Sequence, residues 1–376
     1  MNKSIKILLG LVAILVVIVT GIVINNNSLN NSSGNEDKLV KPTVTIGITL
    51  PLTGDVAILG ESAQNAIILA KEQLKDTKYD YKLVFENDQF KPTLGATIAN
   101  KLISVDKADA LMSFGSPVGH VVSIIAEKSK IPHVNAFASD DHVADGEYNF
   151  LDYTPAYEDS KLFIQELQKR NVKKLVFFGQ QDNPGALAII NAFEKDVKGT
   201  GITVLASEKF NTGTRDFRSQ IDQIKNLGAD IIVLEASTPE LEILARQIKQ
   251  AGIKTPLTTM EAFEFSDQLS LFEGNWYVNG ADPSQWFLDQ YKNRFGKDAK
   301  FGAANQYDGF NLIVQAVETA GDGKTVPTKE QIKNALSQIK SFNGALGENL
   351  SIDENGLVVS KAVIRIIKDG KPVTVK

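Results

Sequence analysis

The chain has 376 residues and no cysteine. Disulfides, thiolate nucleophiles, cysteine-ligated zinc and iron–sulfur clusters are therefore excluded. A chain of this length buries enough apolar surface to fold outside the cytoplasm without such staples. Positive charge is also short. The 40 Lys and Arg face 45 Asp and Glu, for a formal net charge of −5. A nucleic-acid binder shows a basic face, and this balance argues against one. Histidine is scarce, with His120, His133 and His142 the three in the chain. They fall near Asp140 and Asp141 but at no recognised ligand spacing, so no metal site is expected. Catalytic signatures are missing too. There is no G-x-S-x-G and no H-E-x-x-H, and "GITLPLTG" lacks the glycine spacing of a dinucleotide fingerprint. "GDGKT" at Gly321 to Thr325 has Glu318 where a phosphate-binding loop needs its first glycine, and reads as a helix-ending turn. Neither an enzyme nor a cofactor is expected.

What is present begins with a hydrophobic run from Ile7 to Ile24, preceded by Lys3 and Lys6. As a helix it would span about 27 Å, close to the thickness of a bilayer core. The lysines put its start in the cytoplasm and the rest of the chain outside. Residues 1–24 are expected to be an uncleaved transmembrane anchor, with a cleaved signal and a secreted product as the alternative. Residues 25–42 are rich in Asn, Ser and Gly and read as a flexible tether.

From Thr43 the pattern becomes an alternation of strands and helices. "TVTIGITLPL", "YKLVFENDQ", "DALMSFGS" and "IPHVNAFA" are strand candidates separated by amphipathic helices. The alternation pauses near "NFLDYTPAYEDS" and restarts with "KKLVFFGQ", "ITVLASEKF", "ADIIVLEAS" and "TPLTTMEA". Such alternation implies an α/β fold of two doubly wound parallel-sheet lobes, the first ending near Pro155. The C-terminal "LVVSKAVIRIIKDGKPVTVK" reads as a strand, a Lys-Asp-Gly-Lys turn and a last strand.

In doubly wound sheets, ligands bind beyond the carboxyl ends of the strands. Those ends are Ser116 to His120, Ala136 to Ser139, Gln180 to Asn183, Glu235 to Thr238 and Met260 to Glu264. Two facing lobes would make a cleft of them. Glu235 and Glu261 are its sharpest members, because a carboxylate at the end of an apolar strand can pair with a cationic amine.

Five ordered segments then carry a resemblance. "IGITLPLTGDVAILGESAQNAIILA", "FGSPVGHVVSIIAEKSKIPHVNAFAS", "TGTRDFRSQIDQIKNLGADIIVL", "QAGIKTPLTTMEA" and "AANQYDGFNLIVQAVETAG" together resemble the leucine/isoleucine/valine-binding group of periplasmic binding proteins. The resemblance runs from about Val44 to Val375. It implies the type I fold, two lobes joined by a three-segment hinge, with crossings near 152–156, 278–283 and 341–345. The first lobe would be 43–154 plus 283–340, and the second 155–282 plus 341–376. The lobes would close on a small polar ligand, an amino acid or a related amine or amide, and a monomer would deliver it to an ABC permease. A sensor domain of the same fold is the alternative. The family's carboxylate clamp uses hydroxyls where this chain has Gly119 and His120, and its tyrosine gives way to Pro184 before Gly185. Its ammonium-binding carboxylate matches Glu261. The expected contacts are Leu59, Ser116, Gly119, His120, Ala136, Ala138, Ser139, Asn183, Glu235, Ser237 and Glu261.

Overall fold

The computed structural model describes residues 40–375. The expected anchor and most of the expected tether lie outside them. Among the described residues no helix is long and apolar enough to cross a membrane.

Thr43–Leu50 forms β1, whose last five residues are all buried, as befits an internal strand covered on both faces. It lies parallel between β2 (Asp80–Asn87) and β3 (Ala110–Ser113). With β4 (His133–Ala136) and β5 (Asn149–Asp152) the sheet runs in the order β2-β1-β3-β4-β5. The crossovers are α1 (Ala57–Glu72), α2 (Pro92–Ser104) and α3 (Ser116–Ser129). Leu59, Ala63, Ala66, Ile67 and Ala70 share one stripe of α1 and are all buried.

The second half opens with α4 (Ala156–Lys169). It alternates through β6 (Lys174–Gln180), α5 (Pro184–Asp196), β7 (Thr203–Phe210), α6 (Arg218–Ile224), β8 (Ile231–Glu235), α7 (Glu240–Gln250) and the short β9 (Leu257–Thr258). Its parallel sheet has the order β7-β6-β8-β9. Phe217, Ile221 and Ile224 are buried in the core of this half.

β10 (Trp276–Asn279) follows, and then α8 (Gln285–Phe295), α9 (Ala303–Ala320) and α10 (Lys329–Gln338). Helix α9 buries most of its residues in the core of the first sheet. Thr328 and Gln331 cap α10 reciprocally, which satisfies two backbone donors that the helix start would leave open. A small antiparallel sheet comes next, β11 (Ser341–Gly344), β12 (Gly347–Ile352) and β13 (Val358–Val359). The hairpin β14 (Val363–Lys368) and β15 (Lys371–Thr374) ends the chain, with β14 antiparallel to β10. A parallel bridge from Met260 to Val278 links this hairpin sheet to the end of β9.

One boundary differs from expectation. The resemblance implies residues 341–376 as one piece of the second lobe, with a crossing near 341–345. Instead Phe342, Leu350, Ile352, Leu357 and Val358 are buried in the core built on β1 and α9. Asp308 of α9 holds this segment by accepting the Ala345 N–H at 2.5 Å and the Leu346 N–H at 3.0 Å. The chain returns to the second half only after β13.

Candidate functional site

Both parallel sheets reverse winding beside their first strand, at β1/β3 and at β6/β8. The carboxyl ends there are where a doubly wound sheet offers a crevice. From β3 the chain turns at Gly115 and enters α3 at Ser116. Gly115 has φ 76°, and a Cβ on it would lie 2.4 Å from the Phe90 ring, so this turn requires glycine. β4 ends in Ala136, followed by Phe137, Ala138 and Ser139. In the second half, β6 leads to Asn183 at the start of α5, β8 ends on Glu235, and β9 leads to Glu261.

Phe137 and Glu261 both hold positive φ, 106° and 82°. Neither is glycine, and such backbone costs on the order of 1–3 kcal/mol per residue, a strain that clusters at binding sites. They stand one in each half. Phe137 stacks on Phe114 at 4.6 Å and meets the edges of Tyr153 at 5.0 Å and Phe301 at 4.5 Å. It thereby forms the centre of an aromatic wall.

The halves meet where Ser139 Oγ donates to Glu261 Oε2 at 2.6 Å. Around this bond lies a cavity of about 30 Å³. Ser116, Ser139, Asn183, Glu235, Ser237 and Glu261 all line it, together with Phe90, Phe137 and Phe265. That volume holds about one water, so a solute enters only when the halves part. Glu235 Oε2 accepts from Thr259 Oγ1 and the Met260 N–H, each at 3.1 Å. Ser237 Oγ donates to Gln180 Oε1 at 2.9 Å and receives Asn183 Nδ2 at 3.4 Å. Side chains from several strand ends are thus locked to one another before any ligand arrives.

The electrostatics are dominated by buried carboxyls. Burial raises Glu261 to about 7, against the pull of its Ser139 hydrogen bond. Burial also holds Glu235 well above the carboxylate range, with the Met260 N–H opposing. Asp159, in the first turn of α4, is raised well above its ordinary value by burial and then by the nearby Glu261 charge. Tyr153 is raised by burial and by Glu261 as well. Glu261 Oε1, both Asp159 carboxylate oxygens and the Tyr153 hydroxyl are buried without a hydrogen-bond partner.

Five expected contacts lie elsewhere. Leu59 and Ala138 are part of the hydrophobic core of the first half. Ala136 points into the sheet packing, and its carbonyl accepts Gln306 Nε2 at 2.6 Å. Gly119 makes room for a neighbour, since a Cβ there would lie 2.3 Å from Asn135 Nδ2. His120 faces Asp140, with Nδ1 3.5 Å from Oδ2, in a separate depression that it shares with Tyr157 and Asp182. Beside it Asp140, Asp141 and His142 bring donor atoms within 4.8 Å of one another, closer than their sequence spacing suggested. Two of those three are exposed.

Sequence reasoning missed Phe90, Phe265, Tyr153 and Asp159. The phenylalanines carry no polar signal. Asp159 looks like an ordinary helix-start carboxylate, the common use of that position.

The family model described as periplasmic binding protein matches residues 43–371. A leucine-, isoleucine-, valine-, threonine- and alanine-binding protein of Pseudomonas aeruginosa is 24% identical over 347 residues, which are 84% of this chain and 87% of that protein. The crystal structure of a leucine binding protein LivK from Thermotoga maritima superposes with a TM-score of 0.80 at 22% identity, covering 89% of this chain and 98% of the other. An ABC transporter solute binding protein of Rhodopseudomonas palustris, in complex with benzoate, gives 0.78 at 19% identity over 89% and 95%. At such identities the two structures are alike in fold alone.

Proposed function

The chain belongs to the periplasmic binding protein family, and from that premise we propose that its cavity takes a small solute carrying a protonated nitrogen, an amino acid or a related amine. Family membership makes it a solute-binding protein of an ABC transporter, working outside the cytoplasm. The observation that carries the ligand class is Glu261: fully buried, strained in its backbone, and with Oε1 left without a partner inside the protein. A cationic nitrogen supplies what that oxygen lacks.

The working cycle then has two states. Opened, the halves separate Ser139 from Glu261 and admit the solute. Closed, they bury it between Ser116 and Ser139 of the first half and Asn183, Glu235, Ser237 and Glu261 of the second. The ligand favours closure to the extent that it touches both halves only in the closed form. The apolar run at 7–24 would hold this monomer to the outer face of the membrane, with 25–42 as its tether, and an ABC permease would receive the solute.

Thermal denaturation against a panel of amino acids, amines and amides tests the reading. A hundredfold excess over Kd stabilises a binder by about 2.7 kcal/mol. An unmoved melting curve across the whole panel would remove it.

A further inference from the structure

Two carboxyl groups line the cavity, Glu235 and Glu261, and no Lys, Arg or His does so among the described residues. Glu235 is 3% exposed and Glu261 1%. Each keeps one oxygen without a hydrogen bond. Glu261 takes Ser139 on Oε2 and leaves Oε1 bare. Glu235 spends Oε2 on Thr259 and the Met260 N–H, and its Oε1 accepts nothing from the described residues. The two groups are also held apart. Ser139 draws the Glu261 carboxylate toward the first half, whereas Glu235 is tied down within the second.

The start of α3 offers the opposite charge. No side chain caps it. The Ser116 and Val118 N–H groups have no partner among the described residues, and Pro117 has no N–H to spend. Ser116 Oγ accepts the Asp140 N–H at 3.3 Å, which leaves its own proton to donate. Ser116 lines the cavity beside both glutamates. Such a helix start favours an anion. The start of α5 is closed by comparison, because Asn183 Oδ1 accepts the Gly185 N–H at 3.0 Å and the Ala186 N–H at 3.4 Å. The cavity thus has one place for an anion and two for cations. A solute with an apolar side chain would leave the bare oxygen of Glu235 buried and unmatched.

We propose that the solute is a basic amino acid, with its carboxylate at the start of α3, its α-ammonium on Glu261 and the cation of its side chain on Glu235. This rests on the solute-binding reading above and makes Glu235 the residue that selects the side chain. Phe90, Phe137 and Phe265 also line the cavity and cover the side-chain methylenes once the halves close.

Titration calorimetry on the full chain tests it with a truncation series. The probes are lysine, norleucine without the side-chain nitrogen, ε-aminocaproate without the α-ammonium, and cadaverine without the carboxylate. Lysine should bind at least about tenfold more tightly than each of the other three. Norleucine matching lysine overturns the proposal, because Glu235 then reads no cation, and leaves the solute-binding reading standing. Cadaverine matching lysine overturns it by leaving the start of α3 idle, and ε-aminocaproate matching lysine does so by leaving Glu261 idle. Glu235→Gln keeps an oxygen for Thr259 and the Met260 N–H, and so keeps the turn that carries Glu261. It should weaken lysine by at least about tenfold and norleucine far less. A role for Glu235 confined to holding that turn would weaken the two alike and would overturn the proposal. If the variant does not fold, the four probes on the parent chain decide alone. Silence of all four probes while another amino acid binds overturns this proposal only. Silence of every amino acid and amine would fell the solute-binding reading itself.

Discussion

Ser139 of the first half donates its hydroxyl to the Glu261 carboxylate of the second at 2.6 Å, and both side chains are buried. A hydrogen bond to a charged group of this kind is worth about 1.5–3 kcal/mol. It stabilises the closed arrangement without a solute, and any cation that takes Glu261 must compete with it. Ser139→Ala should therefore shift the ligand-free protein toward an open form. Small-angle scattering would read this as a larger radius of gyration, and an unchanged radius would mean that other contacts hold the halves together.

Glu261 also sets a pH dependence for binding. Ser139, Tyr153, Asp159, Glu235 and Glu264 face it, and burial places its titration at about 7. A cationic solute binds the ionised carboxylate and displaces its proton. Affinity should thus rise with pH through that value, and binding should release protons into the buffer. Calorimetry at about pH 6 and about pH 8, in buffers of different ionisation enthalpy, measures both effects. Glu261→Gln should flatten the profile and weaken binding by about a hundredfold, as when one partner of a buried charge pair is removed.

The strand ends were legible because parallel-sheet strands are short, apolar and bounded by turns. That rule placed Ser116, Ser139, Asn183, Glu235, Ser237 and Glu261 around one cavity. It did not foresee that Ala136 and Ala138 turn into the packing beside the strained Phe137, nor that Gly119, in the first turn of α3, is packed against Asn135. The allegiance of β11 to β13 was not legible at all. Their few apolar residues would fit either core, and the segment is held by Asp308, 37 residues before Ala345, the first backbone N–H that it receives.

Asp308 raises a second question of charge. It lies near Asp152, whose two oxygens are buried without a partner. Burial raises both, and Asp308 adds its charge to the effect on Asp152. Carboxyls raised on folding bind more protons in the native state than in the unfolded one. Their contribution to stability is therefore greatest at low pH and declines as pH rises from the ordinary carboxylate range through their folded values. Asp152→Asn keeps the shape and removes one titrating group. It should raise the melting temperature at about pH 8 and weaken its dependence on pH, as expected when an unpaired buried charge is replaced. A lower melting temperature at that pH would show that the carboxylate is satisfied in a way these contacts do not reveal.

Closure itself can be tested at Gly185. It stands at the start of α5, and a Cβ there would lie 2.7 Å from Ser116 Oγ across the cleft. Within its own helix alanine is the better residue by up to about 1 kcal/mol. Gly185→Ala should therefore leave the free protein as stable as the parent or slightly more so. The added methyl group would keep α3 and α5 apart, and solute affinity should fall by about tenfold or more, the scale of a steric cost above 1.4 kcal/mol. Ser116→Gly removes the atoms the methyl group meets, so the double variant should recover much of the loss. Melting curves and calorimetry on the two single variants and the double variant separate the outcomes. If Gly185→Ala binds as the parent does, the two helix starts do not approach in the bound form, and the cavity described here would not be the one that closes on the solute.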